Sequence, residues 1–477
     1  MGKIINLKKI SIVVVILSLI VTFSMVGCKT TTAVETTVAE TTAVETTVAE
    51  TTTTETMAAT TTAAEVTFDK PVTITVMGWH PSKEAQDEIN AAFMKKYPNI
   101  TLNFEIQLPD EYFVNIKSAY SAGAPPDVAQ FQPGAQIGPF LQYLEPLAPI
   151  AEQKWGTDWK SKFYSFCNDQ VEWTGKEYYM LPQGWTPTGV WANTTLLKKY
   201  GLDIPKNLDD LLKIRDKVQP DGLATFLCGF KDNWNAMDLF FFMLDDFAPG
   251  EFYKAEQGQS SFESKGFLDA VKMWKYFFDE KLVQPGAYSL NTYMESVTQY
   301  MQGKGILVPL GSWHLPLVYL SPVENSQHGG FAPFLFPDLN GDGKNPLPTV
   351  TMGSGFGITK GLKESDPYKF EACWTFLEYL LTGEGMQMYA DAIWQYPAST
   401  EIKISDATFE KAGDLAAEFK ANNQWYFDNT EVQGAREPRY TEIKQGIYDM
   451  LSAVATGQKT PEKALADLQK VSESIKR

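Results

Sequence analysis

Residues 72–106, VTITVMGWHPSKEAQDEINAAFMKKYPNITLNFEI, decide the fold. Val72, Ile74 and Val76 alternate with threonines, the period of a half-buried strand. Ala85, Ile89, Ala92, Phe93 and Tyr97 then recur at helical spacing, and Pro98-Asn99 stops that helix. Ile100, Leu102, Phe104 and Ile106 alternate again, a helix follows around 110–121, and Pro125-Pro126-Asp127-Val128 opens a third strand. Strand, helix, strand, helix, strand predicts a doubly wound parallel sheet, which binds ligands beyond the carboxyl ends of its strands. Further helical patterns fall at 137–151, 193–200, 207–218, 264–280, 366–382 and 439–456. Eight regular strand–helix units, as a TIM barrel requires, do not emerge. The roughly 410 residues from 66 onward exceed one hydrophobic core, so two α/β lobes are expected.

Upstream of this body the composition changes. Lys3, Lys8 and Lys9 precede an apolar run, Ile10 to Phe23, that is too short to span a bilayer comfortably. The pattern predicts a cleaved export signal over residues 1–27. Met25-Val26-Gly27-Cys28 resembles the lipobox of bacterial lipoproteins, with Met25 in place of the usual leucine; plain signal cleavage with an incidental Cys28 is the alternative. Lipidation at Cys28 would anchor the chain to a membrane, stably if several acyl chains are attached. Of residues 30–65, seventeen are Thr and six Glu, and the unit TTAVETTVAE occurs at 31–40 and again at 41–50. Such a stretch has no core to make, so 28–65 is expected to be a disordered tether of roughly 30–36 Å root-mean-square length.

The whole chain carries a net charge of −17. Without residues 1–27 it has 38 basic and 58 acidic residues, a net charge of −20. That surface argues against nucleic acid and against attraction to anionic lipid. Arg215, Arg436, Arg439 and Arg477 are the only arginines, which disfavours a strongly anionic ligand. Cys167, Cys228 and Cys373 match no metal spacing and are expected to be buried thiols.

Six segments, in order, resemble the bacterial extracellular solute-binding proteins of family 1, the maltose-binding-protein-like receptors of ABC importers. They are Ile74 to Trp79, Ala122 to Val128, Gly175 to Pro182, Asn193 with Leu196 to Leu202, Gly303 to Trp313, and Gly353 to Ile358 with Ala372 to Gly385. Ala192 departs from the Tyr usual before Asn193. The resemblance implies a two-lobed periplasmic-binding-protein type II fold, with doubly wound sheets joined by a hinge that the chain crosses three times. By position, lobe one would be 66–183 plus 353–402, and lobe two 184–352 plus 403–477. Closure around ligand is a property of that class rather than of these residues. The family further implies an ABC permease as partner and a site outside the cytoplasm, at the cell surface or in the periplasm. A monomer without cofactor is expected.

The aromatic content, 12 Trp, 21 Tyr and 29 Phe, points to a sugar or oligosaccharide as cargo. An indole stacked on a sugar face buries about 100 Å², worth about 2.5 kcal/mol gross. A single Trp in a chain this size is more often core than platform. Family position favours Trp313 and Trp185 as platforms, and leaves Trp79 and Trp234 balanced between the two roles. His80 follows Trp79, and His314 follows Trp313. Family position also suggests Phe131, Gln132 and, on a looser match, Tyr440, Arg436 and Arg439. Asn233, with Asp232 and Glu111, offers hydroxyl partners, although such side chains are usually just solvated. Asp338-x-Asn340-x-Asp342-Gly343 resembles half of a calcium loop, but Thr349 stands where a bidentate Glu belongs. A turn between strands is the plainer reading. The rival classes are a tethered carbohydrate-active enzyme, for which no catalytic motif appears, and a sugar receptor that does not serve transport.

Overall fold

The computed structural model describes residues 67–172, 177–320, 325–392, 395–430 and 438–477. The export signal, Cys28, the tether, Gly175-Lys176 and Arg436 lie outside the described residues. Glu65–Arg477 forms one compact unit.

The alternation at the start of the body makes β1 (Val72–Gly78), with Ile74 and Val76 buried and the threonines between them exposed. It pairs in parallel with β2 (Ile100–Ile106), from Val72↔Ile100 to Gly78↔Ile106. Between them runs the Lys83–Lys96 helix, capped by Ser82 and buried through Ile89 and Phe93. Asp127 fastens the next strand, β3 (Val128–Phe131), to β1: its carboxylate accepts from Thr75 N and Thr75 Oγ1, each at 2.8 Å. The helical patterns expected at 207–218, 264–280, 366–382 and 439–456 appear as Leu208–Val218, Lys265–Asp279, Pro367–Thr382 and Thr441–Ala455. The pattern at 137–151 does not make one helix. Pro139, Pro146 and Pro149 divide it into a short 3-10 turn, Gly138–Tyr143, and a helix, Ala148–Trp155.

There are two sheets. The first has six strands in the order β10-β4-β9-β3-β1-β2, with β4 (Leu181–Pro187), β9 (Val350–Ile358) and β10 (Tyr396–Pro397). Its β2-β1-β3 half is parallel; β9 runs antiparallel to both β3 and β4. The second has four strands in the order β6-β7-β5-β8, with β5 (Val190–Asn193), β6 (Ala224–Phe226), β7 (Gly305–Val308) and β8 (Phe331–Phe334). The chain changes sheet between Pro187 and Val190, returns between Phe334 and Val350, and leaves again after β10. At the first two crossings Thr188 N donates to Thr349 O at 3.0 Å, and Thr349 N to Thr188 Oγ1 at 3.2 Å. The boundaries expected at 183/184 and 352/353 thus fall inside β4 and β9. Gly189 allows the crossing to lie flat: a Cβ there would stand 2.5 Å from Tyr426 Oη and 2.9 Å from Leu310 O.

Cys167, Cys228 and Cys373 are free and buried. In the Asp338–Asp342 loop the oxygens turn inward on their own backbone. Asp338 accepts from Gly341 N at 2.6 Å and Gly343 N at 2.8 Å, and Asn340 Oδ1 accepts from Asp342 N at 2.8 Å. Among the described residues no three His, Cys, Asp or Glu side chains gather as metal ligands would. The loop is a turn between β8 and β9.

Candidate binding site

Three aromatic groups lie along the path from the end of β1, through β4, to the Gly311-Ser312-Trp313 segment. In the first, half-buried Trp79 packs on His80, Tyr112 and Phe113, with ring centroids 5.3, 5.1 and 5.2 Å away. In the second, Trp185 on β4 meets Tyr396 at 4.6 Å, Phe427 at 5.5 Å, Phe166 at 5.6 Å and Tyr164 at 6.1 Å. The Trp185 Nε1 is buried and has no acceptor among the described residues. In the third, buried Trp313 stands 6.1 Å from half-buried Trp234, itself 5.9 Å from Tyr293.

Hydrogen bonds join the groups. Gln130 on β3 holds the Trp79–His80 turn and reaches Gln183 on β4 at 2.6 Å, two residues before Trp185. Thr186, the residue after Trp185, bonds Ser312 at 2.9 Å, the residue before Trp313. Gly311 lets that segment press against the end of β4: a Cβ there would stand 2.0 Å from the Trp313 ring and 2.2 Å from Pro187 O.

The remaining residues singled out from the sequence divide. Gln132 is partly exposed at the start of a loop whose Ala135 receives the segment bearing Tyr440. Ala135 N donates to Pro438 O at 2.8 Å, and Thr441 Oγ1 donates to Ala135 O at 3.1 Å. Tyr440 lies under the Arg477 guanidinium, 5.8 Å from its ring, and next to Arg439, whose N–H donates to the buried carboxylate of Glu256. Burial pushes that carboxyl up to about 7 against the pull of the Arg439 and Tyr440 N–H groups and the Arg439 charge. Asn233 is exposed at the first turn of the Asn233–Phe247 helix. Asp232 is tied down, accepting from Thr292 N at 2.6 Å. Phe131 is core: it packs on Phe140 at 5.2 Å and Tyr120 at 6.5 Å and is 2% exposed.

Both candidate histidines are buried. His80 Nε2 meets Ser354 Oγ at 2.7 Å, while neither ring nitrogen of His314 has a hydrogen-bond partner among the described residues. Burial pulls both imidazoles from 6.5 down to about 3, so each ring is neutral at physiological pH. The unfolded chain therefore takes up a proton per ring below about pH 6.5 that the folded chain refuses, and stability falls as pH drops from there toward 3. The His314→Phe variant, which leaves no buried polar atom behind, should remove one of these protons. Relative to its effect at pH 7.5, it should gain about 2 kcal/mol at pH 5 in urea unfolding. Equal effects at the two pH values would refute this assignment.

Missed from the sequence were Gln130, Gln183 and Ser354, with Gln395 and Tyr389 behind them. The signal was available in part: each of the first three is a polar residue inside a fully buried strand.

A model of the bacterial extracellular solute-binding protein family matches residues 79–387, and the chain belongs to that family. An uncharacterized ABC transporter extracellular-binding protein of Pyrococcus horikoshii is 27% identical over 239 residues, covering 48% of this chain and 53% of that one. The chain spans about half the length of the curated relatives it matches. A structure from work on xylan utilization by Caldanaerobius polysaccharolyticus superposes with a TM-score of 0.70 at 21% identity, over 84% of this chain and 99% of that one. A chitin oligosaccharide binding protein gives a TM-score of 0.69 at 18% identity, over 84% and 98%. These likenesses establish the two-lobed, periplasmic-binding type of α/β fold.

Proposed function

We propose that the protein is a lipid-anchored, extracytoplasmic receptor that captures a sugar or oligosaccharide between its two lobes and delivers it to an ABC permease. It acts as a binding protein and not as an enzyme. The observation that carries this reading is the set of three aromatic groups, at the end of β1, on β4 and at the Gly311–Trp313 segment, with Trp79 and Trp234 still partly open to solvent. Flat rings with polar neighbours suit the mixed apolar faces and hydroxyl edges of a sugar. Family membership and the saccharide-linked structural neighbours support the same class of ligand. The lobes we assign are the two sheets with their packed helices, joined at Thr188, Thr349 and the segment after Pro397. Residues 1–27 would be removed on export, and Cys28 with the threonine-rich stretch would form the anchor and leash.

A thermal-shift screen with xylotriose, chitotriose and maltotriose, against amino acids, polyols and glycerol phosphate, tests the reading. A sugar present at a hundred times its dissociation constant should stabilise the protein by about 2.7 kcal/mol. Because Trp234 is only partly buried, Trp234→Ala should weaken that sugar about tenfold and leave the unliganded melting temperature within a few degrees. Stabilisation by glycerol phosphate alone would replace the sugar with another solute. Recovery of a cleaved saccharide would replace the receptor with an enzyme.

A further inference from the structure

We propose that Gln130 is a positioning residue that sets the Trp79–His80 turn and, through His80, Gln183 and Ser354, couples that turn to both β4 and β9. The proposal rests on the sugar-site reading only in taking Trp79 as a ligand platform.

Gln130 is fully buried in the middle of β3, where an apolar side chain would ordinarily stand. Its amide makes four bonds. Oε1 accepts from Trp79 N at 2.9 Å and His80 N at 3.3 Å, and Nε2 donates to His80 O at 3.1 Å and Gln183 Oε1 at 2.6 Å. That uses both of its hydrogens and both acceptor sites, the condition under which a buried amide is not a liability. The bonds also fall where the ladder runs out: β1 pairs with β3 only at Val76 and Met77. The Gln130 side chain thus takes over from the strand, holding the backbone that aims Trp79. Gly78 makes room for it, since a Cβ there would lie 2.8 Å from Gln130 Oε1.

The far side of the brace reaches the connecting strands. Ser354 on β9 meets His80 Nε2 at 2.7 Å, and lies 3.0 Å from both Gln183 Oε1 on β4 and Gln395 Oε1. One assignment serves His80 and Ser354, with Gln183 Nε2 left buried and without a hydrogen-bond partner among the described residues. Nε2–H of a neutral His80 donates to Ser354 Oγ, whose own hydrogen goes to a glutamine oxygen; Nδ1 then faces Tyr389 Oη at 3.5 Å as acceptor. A displacement of Trp79 by ligand is therefore passed to β4 through Gln130 and to β9 through His80, without any charged group.

Hydrogen exchange and sugar titration on the full chain test this. In Gln130→Met the amides of Trp79 and His80 should exchange at least tenfold faster, while that of Leu102 on β2 is unchanged. Should Gln130→Met fail to fold, Ser354→Ala removes one hydroxyl and should speed the His80 amide at least threefold. Binding of whichever trisaccharide gives the largest thermal shift should weaken about tenfold in Gln130→Met, and the double variant with Trp79→Ala should bind no worse than Trp79→Ala alone. Unchanged exchange at Trp79 and His80, or losses that multiply in the double variant, would overturn the positioning role. Faster exchange together with full affinity in Trp79→Ala would instead remove Trp79 from the sugar site and leave Gln130 as the holder of the turn.

Discussion

Gly311→Ala is expected to cost about 3 kcal/mol of stability and to abolish measurable sugar binding. The added methyl would stand 2.0 Å from the Trp313 ring and 2.2 Å from Pro187 O. The second contact is backbone at the end of β4, so it cannot be relieved by a rotamer change. Gly311 O is itself held, accepting from His314 N at 3.1 Å and from Trp191 Nε1 at 3.2 Å. Either the segment lifts off the strand or the Trp313 indole leaves its place beside Trp234, and both outcomes dismantle the third aromatic group. Gly138→Ala is the control, because nothing lies within 4 Å of a Cβ there and it should be neutral. Chemical unfolding reads the stability change and calorimetric titration the binding. A Gly311→Ala protein that melts and binds like the parent would show that the packing at β4 is far looser than described.

Trp185→Ala is the second large effect, a loss of about 3–5 kcal/mol. Four aromatic rings close around Trp185, which is 6% exposed, and filling the space left by an alanine would require moving β4, β10 or the helices Ser165–Glu172 and Ala416–Asn429. Trp185→Phe separates packing from recognition. No acceptor among the described residues is lost with the indole N–H, so a phenyl ring should restore most of the stability. If a sugar hydroxyl accepts from Nε1, affinity should stay about tenfold down while stability recovers. Full recovery of both would make Trp185 a packing residue alone.

Local order was legible from the period of the residues, the two-lobed arrangement through the resemblance of ordered segments, and the pairing of particular side chains across the chain from neither. Alternation at Val72–Val76 and the capped, amphipathic stretch after Ser82 each carry their own period, and both elements form where that period places them. The prolines at 139, 146 and 149 were equally visible but were outweighed by apolar spacing, which is why one helix was expected where a turn and a helix occur. The indoles at strand ends could be found from position in a recognised order of segments. Their orientation could not, because it depends on partners far along the chain: Gln130 and Gln183 are 53 residues apart, and His80 and Ser354 are 274 apart. Phe131 shows the reverse error. Family position suggested it as a ligand residue, yet its side chain stands in the core beside Phe140.

The three routes between the sheets share one further property. They depart from β10, β4 and β9, which are consecutive in the six-stranded order. A strap of adjacent strands flexes across its width, but sliding by one residue would break its ladder and turn its side chains over. On the proposed two-lobed reading, such a strap would join the halves as a lid is joined to a box, with one angle free and lateral play suppressed. Opening and closing would then reduce to a single coordinate with one free-energy difference along it, and a ligand would need to shift only that one balance.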